Sequence, residues 1–519
     1  MEAHDAAVAV VAARVKHFHK EQKPFRNYHG SSLSTRPSDR NRDNIVDTSS
    51  LSHVLAIDKA KKTASVEPNV SMDVLVAATM KEGLVPQVVM ELPSITVGGG
   101  FSGSSGESSS FRFGLFEATI NGIEIVLPTG EVAKASNSEK QDLFWGAASA
   151  FGTIGVVTLL EVQLMDAKKY VAMTYYLTKG FDNTLVRIKE ETKKEENDYI
   201  DGIAFTPESS VICCGRMVDD LPSGQKPRHF TRRGDPWFYL RVKDAHDHLL
   251  KFPENSFIDY IPLEDYLFRY DRGGFWTGRQ AFEYFKVPFN RITRYVLDPF
   301  MYTRVINQAQ AKTDFSYHYM IQDCGIPFQK CNEFKSWLDE NIGLYPLWLC
   351  PLRARRDSPG SSHGIHAAMG KRDYSDLLNF GVWGLISWDR QEVLGKNKAL
   401  EAKVRELDGW KTLYAHTYYS EEDFWSVYDR ESYDAVRAKY GANYLPSVYE
   451  KVSVKVDLEA EEAALRTSTK ARLKAKAKST WPTRGLLGVY HAVRGGDVLL
   501  QKQEKPQTQK TASSGPGKA

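Results

Sequence analysis

The chain has 519 residues, which is room for two or three domains with sizeable buried cores. Hydrophobic residues make up 42% and aromatics 12%, and the net charge is only +3, too small for a chain that binds nucleic acid along its length. The charge is uneven: from Lys451 onward there are 14 Lys/Arg against 6 Asp/Glu, so the preceding body carries a net −5.

The opening run Ala6 to Ala13 (AAVAVVAA) reads as the core face of a helix ending near Phe18. An acidic residue and a His precede it, where a secretory leader would carry a basic start. Pro24 to Gly30 reads as a short strand entering a polar loop. His53 to Pro68 reads as a hairpin turning at Lys59 to Lys62. Ser71 is placed to cap a helix that Gly83 ends. Ala118 to Leu127 and Glu131 to Ala135 flank a Pro128-Thr129-Gly130 turn, Asp142 to Phe151 reads as helical, and Ile154 to Leu164 as a β-branched strand.

Beyond Tyr170 the texture changes. YVAMTYYL, YIDGIAFT and SSVICCGRMV read as strands, with a charged helix over Leu185 to Asn197. Residues 228 to 320 are rich in aromatics and arginine and read as helical and irregular. Strand character returns at Tyr345 to Leu352, Leu378 to Trp388 and Trp410 to Tyr418, before a helix over Ser432 to Tyr440. The sequence after Ala464, including Lys470 to Lys478 with no acidic residue, reads as a disordered tail.

Five cysteines (Cys213, Cys214, Cys324, Cys331 and Cys350) are odd in number and irregular in spacing. They point to a reducing, cytoplasmic setting, and none has the spacing of a metal site. No apolar run reaches membrane-spanning length.

Thr96 to Ser108 (TVGGGFSGSSGES) is the most telling stretch. So few side chains let backbone N–H groups approach a ligand closely, and a diphosphate is the usual partner. Gly98, Gly100 and Gly103 formally match the dinucleotide fingerprint G-x-G-x-x-G, with Glu124 near the distance of a ribose-binding acid. That fingerprint needs a helix directly after it, and SSGESSSFRFGLF has no amphipathic period. Some fifty residues further on comes DLFWGAASAFGTIGVVTLLEVQL (Asp142 to Leu164). The pair, in this order, points to a flavin.

These two segments resemble the FAD-binding domain of the vanillyl-alcohol oxidase/p-cresol methylhydroxylase (PCMH) superfamily. His29-Gly30-Ser31-Ser32 through Arg36 stands where that family has an N-terminal diphosphate loop. ESSSFRFGLF, AKKYV, PWF, YIPLEDY, YPLWLCP and EEDFWSVYD narrow the resemblance to its delta-24 sterol reductase branch, over about residues 16 to 453. Two features depart from that branch: LFRYDRGG (Leu267 to Gly274) replaces a His-rich string, and the branch's membrane-anchoring N-terminal segment is not expected from this sequence.

The resemblance implies an α+β chain. A PCMH-type FAD-binding domain of two α/β subdomains spans 1–167. A cap over 168–425 places an antiparallel sheet above the flavin. A helical segment over 426–464 returns to the first domain, and 465–519 is the tail. FAD would be held by Thr96, Val97, Gly98, Gly99, Gly100, Phe101, Ser102, Gly103, Ser104, Ser105, Gly106, Glu107 and Ser108, and by Gly152, Gly155, Val156 and Val157. The Gly/Ser run offers no His or Cys for a covalent link and His29 is the nearest, so the FAD is expected to be noncovalent.

The implied reaction reduces an isolated side-chain alkene of a sterol or terpenoid, with NADPH as reductant. Such an alkene has no carbonyl to accept electrons, so a proton donor is needed, and Glu107, Tyr345 and His416 are the candidates. An alcohol or sugar-acid oxidase using oxygen on the same fold is the alternative. A binding protein on a relict flavin fold is a third reading. Peripheral contact with the endoplasmic reticulum membrane, and the oligomeric state, stay open.

Overall fold

Val8, Val11, Val15 and Phe18 recur every three or four residues, and the helix Glu2–Glu21 buries that stripe against Val126, Val156 and Leu445. The structure is a computed structural model that describes residues 2–30, 34–36, 38, 40–253, 257–311, 313–354, 376–454, 456 and 480–494.

The strands follow in chain order. β1 (Arg26–Tyr28) and β2 (Ile45–Asp47) form a small parallel pair. β3 (Val54–Asp58), β4 (Thr63–Val66), β5 (Leu84–Pro86), β6 (Ile120–Val126), β7 (Val132–Ser136) and β8 (Val156–Asp166) form the first large sheet, in the order β3-β4-β8-β6-β7 with β5 also paired to β8. The chain changes sheets between Asp166 and Tyr170. β9 (Tyr170–Lys179), β10 (Tyr199–Thr206), β11 (Ser209–Val218), β12 (Ile258–Pro262), β13 (Tyr319–Pro327), β14 (Leu347–Leu352), β15 (Leu377–Leu385) and β16 (Trp410–Lys411) form the second, ordered β12-β9-β11-β10-β14-β15-β13-β16. The pairings in both large sheets are antiparallel, which gives the α+β class.

Strand alternation sorts the second sheet into two faces. Leu347 and Leu349 of β14, with Leu378, Phe380 and Val382 of β15, pack under the helices Phe181–Glu191, Cys331–Asn341 and Arg390–Glu406. Trp348, Cys350, Leu352 and Trp383 belong instead to the core shared with the first sheet. The Gly/Ser run is tied to this sheet: the Ile200 N–H donates to Ser108 O at 2.7 Å and the Arg353 N–H to Ser110 O at 3.0 Å. The helix Arg430–Lys439 then returns to the first domain, where Lys439 Nζ meets Asp142 at 2.6 Å and Tyr433 OH meets Thr153 Oγ1 at 2.6 Å.

Three segments differ from the sequence reading. The Gly/Ser run is not a loop throughout, because Val97–Gly103 forms a short helix that Ser104 ends in the left-handed conformation. Its glycines are needed for packing as much as for freedom. A Cβ on Gly98 would lie 2.7 Å from Pro68 Cβ, and one on Gly106 2.8 Å from Leu352 Cδ2. Next, Tyr414, His416 and Tyr418 do not share a strand face, since β16 stops at Lys411. Side chains take the backbone groups there: Arg36 reaches Ala415 O at 2.8 Å, Lys411 reaches His416 O at 2.6 Å, and Glu401 receives the Tyr418 N–H at 3.0 Å. Finally, within the segment read as a disordered tail, Thr483–Arg494 is a helix, while Lys470 to Lys478 lies outside the described residues.

The G-x-G-x-x-G alternative fails on topology. β6 pairs antiparallel with β7 and β8, whereas a nucleotide-binding βαβ unit needs parallel strands. Glu124 serves structure instead, accepting from Thr158 Oγ1 at 2.8 Å and lying 3.2 Å from the Nε2 of buried His4.

Candidate functional site

A cavity of about 730 Å³ lies between the two large sheets, lined by the N-terminal segment, the Gly/Ser run, the Phe151–Val157 turn and the inner face of the second sheet. That volume suits a cofactor with substrate beside it. Of the residues expected to hold FAD, Thr96, Gly98, Gly99, Ser102, Gly103, Ser105, Gly106, Glu107, Gly152, Gly155, Val156 and Val157 line it. Val97, Gly100, Phe101, Ser104 and Ser108 do not. Val97 and Phe101 are in the core, Gly100 packs on Met90 and Phe116, and Ser108 Oγ accepts from Tyr266 OH at 3.1 Å.

The amides at the start of the Gly/Ser run are not bare. The Val97 N–H donates to Val70 O at 2.9 Å, Gly98 to Pro68 O at 2.8 Å, Gly99 to the capping Thr96 Oγ1 at 3.1 Å, and Gly100 to Thr96 O at 2.9 Å. A diphosphate grip by these four groups is therefore corrected. Thr96 ends up as an N-cap, which satisfies donors that a ligand would otherwise use.

The cationic stretch of wall comes from elsewhere. Arg26, Arg36, Arg40 and Lys451 all line the cavity. Arg36 sits 5.5 Å over the Phe151 ring, and burial together with the charges of Arg40 and Arg26 lowers its pKa to about 10. Lys451 Nζ donates to Phe151 O, beside Gly152, whose φ of +72° and contact with Asn27 leave no room for a side chain. Like-charged guanidinium groups clustered in a half-buried wall favour an anionic occupant. The Nδ1 of His29 and the Oδ1 of Asn27, on the same wall, are buried without a partner among the described residues. Burial and Arg40 lower the His29 pKa to about 4. Ser31 and Ser32 of the expected diphosphate loop lie outside the described residues.

A second stretch of wall is acidic and aromatic. Glu91, Glu107 and Asp323 line it with Phe275, Trp348 and Trp383. Phe275 lies 4.4 Å from Trp383 and 5.6 Å from Trp348, centroid to centroid, with its ring inclined to both, making an aromatic cluster on the wall. Asp323 accepts from Tyr414 OH at 2.6 Å and from Asn379 Nδ2 at 2.9 Å, and burial raises its pKa. Glu107 is buried, its N–H donating to Ser110 Oγ at 2.9 Å. Burial first, then the neighbouring Glu91 charge, raise the pKa of its carboxyl well above the ordinary carboxylate range.

Behind this wall a single cation balances the carboxylates. Arg269 is fully buried, and its Nη2 reaches Glu91 Oε1 at 2.7 Å and Asp201 Oδ2 at 2.9 Å. Tyr270 OH and Trp348 Nε1 also donate to Asp201 Oδ2, at 2.8 and 3.1 Å. The Arg269 guanidinium lies 4.0 Å over Tyr266 and 4.6 Å over Tyr270. Burial raises the Glu91 pKa to about 7, against the opposing pull of Arg269.

The other two proton-donor candidates fall outside the cavity lining. Tyr345 precedes β14 on the face turned to the helices, and its hydroxyl donates to Asp339. Alternation gives the cavity Trp348 instead. His416 is turned away by the irregular chain after β16. Its Nδ1 meets Thr35 Oγ1 at 2.9 Å, and burial lowers its pKa to about 3, so it is neutral at pH 7. Sequence reasoning missed Glu91, Asp201, Arg269, Asp323, Asn379 and Trp383. Arg269 does fall in LFRYDRGG, the string that departs from the resembled branch.

Residues 6–136 match a family model described as an FAD binding domain. The Delta(24)-sterol reductase of Homo sapiens is 28% identical over 78% of this chain and 76% of its own. That of Arabidopsis thaliana is 28% identical over 82% of this chain and 80% of its own. A cytokinin dehydrogenase of Oryza sativa subsp. japonica is 30% identical over 26% of each chain. The resemblance read from the sequence thus holds over most of the chain, and residues 6–136 are similar to an FAD-binding domain.

Proposed function

We propose that this chain, an FAD-binding oxidoreductase resembling the Delta(24)-sterol reductases, reduces a side-chain carbon–carbon double bond of a sterol or related terpenoid, with NADPH as reductant. The observation that carries the reading is one cavity with two unlike walls: a cationic one suited to a diphosphate, and an aromatic one that holds a carboxyl whose pKa burial raises.

Arg26, Arg36, Arg40 and Lys451 would hold the diphosphate, with Gly152 and Gly155 allowing the backbone close. When bound, FAD supplies the hydride chemistry. Phe275, Trp348 and Trp383 supply an apolar aromatic wall that excludes water and orients a sterol. Glu107 holds a proton at the same wall, the general acid an isolated alkene requires. Asp323, tied to Tyr414 and Asn379, keeps a second buried carboxyl close by. We infer that the FAD is held noncovalently, so acid precipitation should leave the yellow colour in the supernatant.

The partial similarity to a dehydrogenase supports a second reading, an oxidase or dehydrogenase that passes electrons to oxygen. Purified protein given NADPH and a delta-24 sterol should consume NADPH in step with saturation of the side chain. Hydrogen peroxide release from an alcohol, with no sterol-dependent NADPH loss, would favour the second reading.

A further inference from the structure

The helix Thr483–Arg494 has two sides that carry apolar contacts or side chains, and among the described residues only one of them is covered. Its inner side is set by Arg484, Gly485 and Gly488. Arg484 is buried over the rings of Phe315 and Trp388, at 5.7 and 5.2 Å. Gly485 sits where a Cβ would strike Tyr284 Cε1 at 2.5 Å, and one on Gly488 would lie 3.6 Å from Ala309 Cβ. The helix therefore packs tightly on Thr303–Ala311, whose Thr303, Ile306, Asn307 and Gln310 line the cavity.

The outer side carries Leu486, Tyr490 and Val493, spaced four and three residues apart and 57%, 52% and 68% exposed. Trp481, just ahead of the helix, is 51% exposed, with its Nε1 donating to Tyr284 O at 2.8 Å and Lys286 Nζ 5.1 Å from its ring centroid. Exposed large apolar residues in a stripe mark a surface with a partner. The charge says which partner. Apart from the inward Arg484, the sequence between residues 463 and 496 has seven Lys/Arg, six of them ahead of the described helix, and no Asp/Glu.

We propose that the stripe Trp481, Leu486, Tyr490 and Val493 is a docking surface for an anionic lipid bilayer. The helix lies in the plane of the headgroups, its inner side on the wall of the cavity. Trp and Tyr prefer the boundary between headgroups and acyl chains, and basic residues add attraction to anionic headgroups. No helix among the described residues is long and apolar enough to cross a membrane, so the contact is peripheral. This surface does not depend on the reductase reading; with it, an apolar substrate would reach the cavity from the bilayer.

The test uses the full flavin-loaded chain and sedimentation with phosphatidylcholine vesicles, with and without phosphatidylserine. The expected result is binding to the phosphatidylserine vesicles that weakens as salt is raised. The variant L486S/Y490S/V493S should lose about tenfold or more of that binding while keeping its flavin absorbance, because each substitution removes most of one side chain's apolar contact. Vesicles with brominated acyl chains give a second measurement without the triple variant. They should quench tryptophan fluorescence in the wild-type chain, and quench less of it in W481F. Equal binding by wild type and variant overturns the proposal. So does absence of binding, or a stripe-dependent dimer that ignores vesicles. None of these outcomes bears on flavin content or sterol reduction in detergent, which test the reductase reading separately.

Discussion

Glu107→Gln is expected to lower turnover about 10²- to 10⁴-fold while flavin content is unchanged, the range for loss of a positioned general acid. Glu107 lines the cavity and does not reach bulk solvent, and its neighbours Glu91 and Asp323 are carboxylates. Ionising it would add a negative charge to a group that already has more carboxyls than cations, so the proton stays. The pH dependence follows. A carboxyl whose pKa is raised on folding binds its proton in the native chain and releases it when unfolded. Activity and the associated stability are therefore present at low pH and are lost as pH rises through the folded value. The wild-type rate should fall on the alkaline side, and the Gln variant should lack that limb. A Gln variant with near wild-type turnover would remove Glu107 as proton donor and return the search to Asp323.

Arg269→Leu is expected to be the most destabilising single change near the site, at about 3–5 kcal/mol, because it leaves two buried carboxyls without their cation. Glu91 and Asp201 both end on the same Nη2, and Asp201 is as deeply buried as Arg269 itself. Arg269→Lys should rescue only part of the loss. An ammonium cannot bridge both carboxylates while stacking between Tyr266 and Tyr270. The midpoint of denaturant unfolding checks both variants. A Leu variant as stable as wild type would show that Glu91 and Asp201 simply take up protons, and that Arg269 is dispensable.

The legible parts of this chain were the locally determined ones. The β3–β4 and β6–β7 hairpins, the long strand β8 and the strands of the second sheet follow from short-range alternation and turn residues. The alternation of YPLWLCP was readable too, but not which face met the cavity, because that depends on how two sheets pack. The Gly/Ser run was readable as a close-approach segment. Its hydrogen bonds were not, since Pro68 and Val70 come from a distant turn and use up the Gly98 and Val97 amides. The cationic wall was hidden for a related reason. Arg26, Arg36 and Arg40 follow no periodic pattern, and become a cluster only when β1 and its following loop fold against the Phe151–Gly152 turn. Arg269, Asp201 and Glu91 are 68 and 110 residues apart along the chain, so their charge balance leaves no trace in local sequence. The helix Thr483–Arg494 was concealed by the composition around it, and it forms because Gly485 and Gly488 let it seat on the cap.

Half-buried arginines, rather than bare amides, select a flavin carrying a diphosphate. Deflavinated protein titrated with FAD and with riboflavin tests this selection most directly, by flavin fluorescence. FAD should bind at least ~100-fold more tightly than riboflavin, since two charge-assisted hydrogen bonds supply that much, and Arg40→Met should shrink the ratio. Equal affinity for the two flavins, or a ratio untouched by the Arg40 substitution, would contradict it.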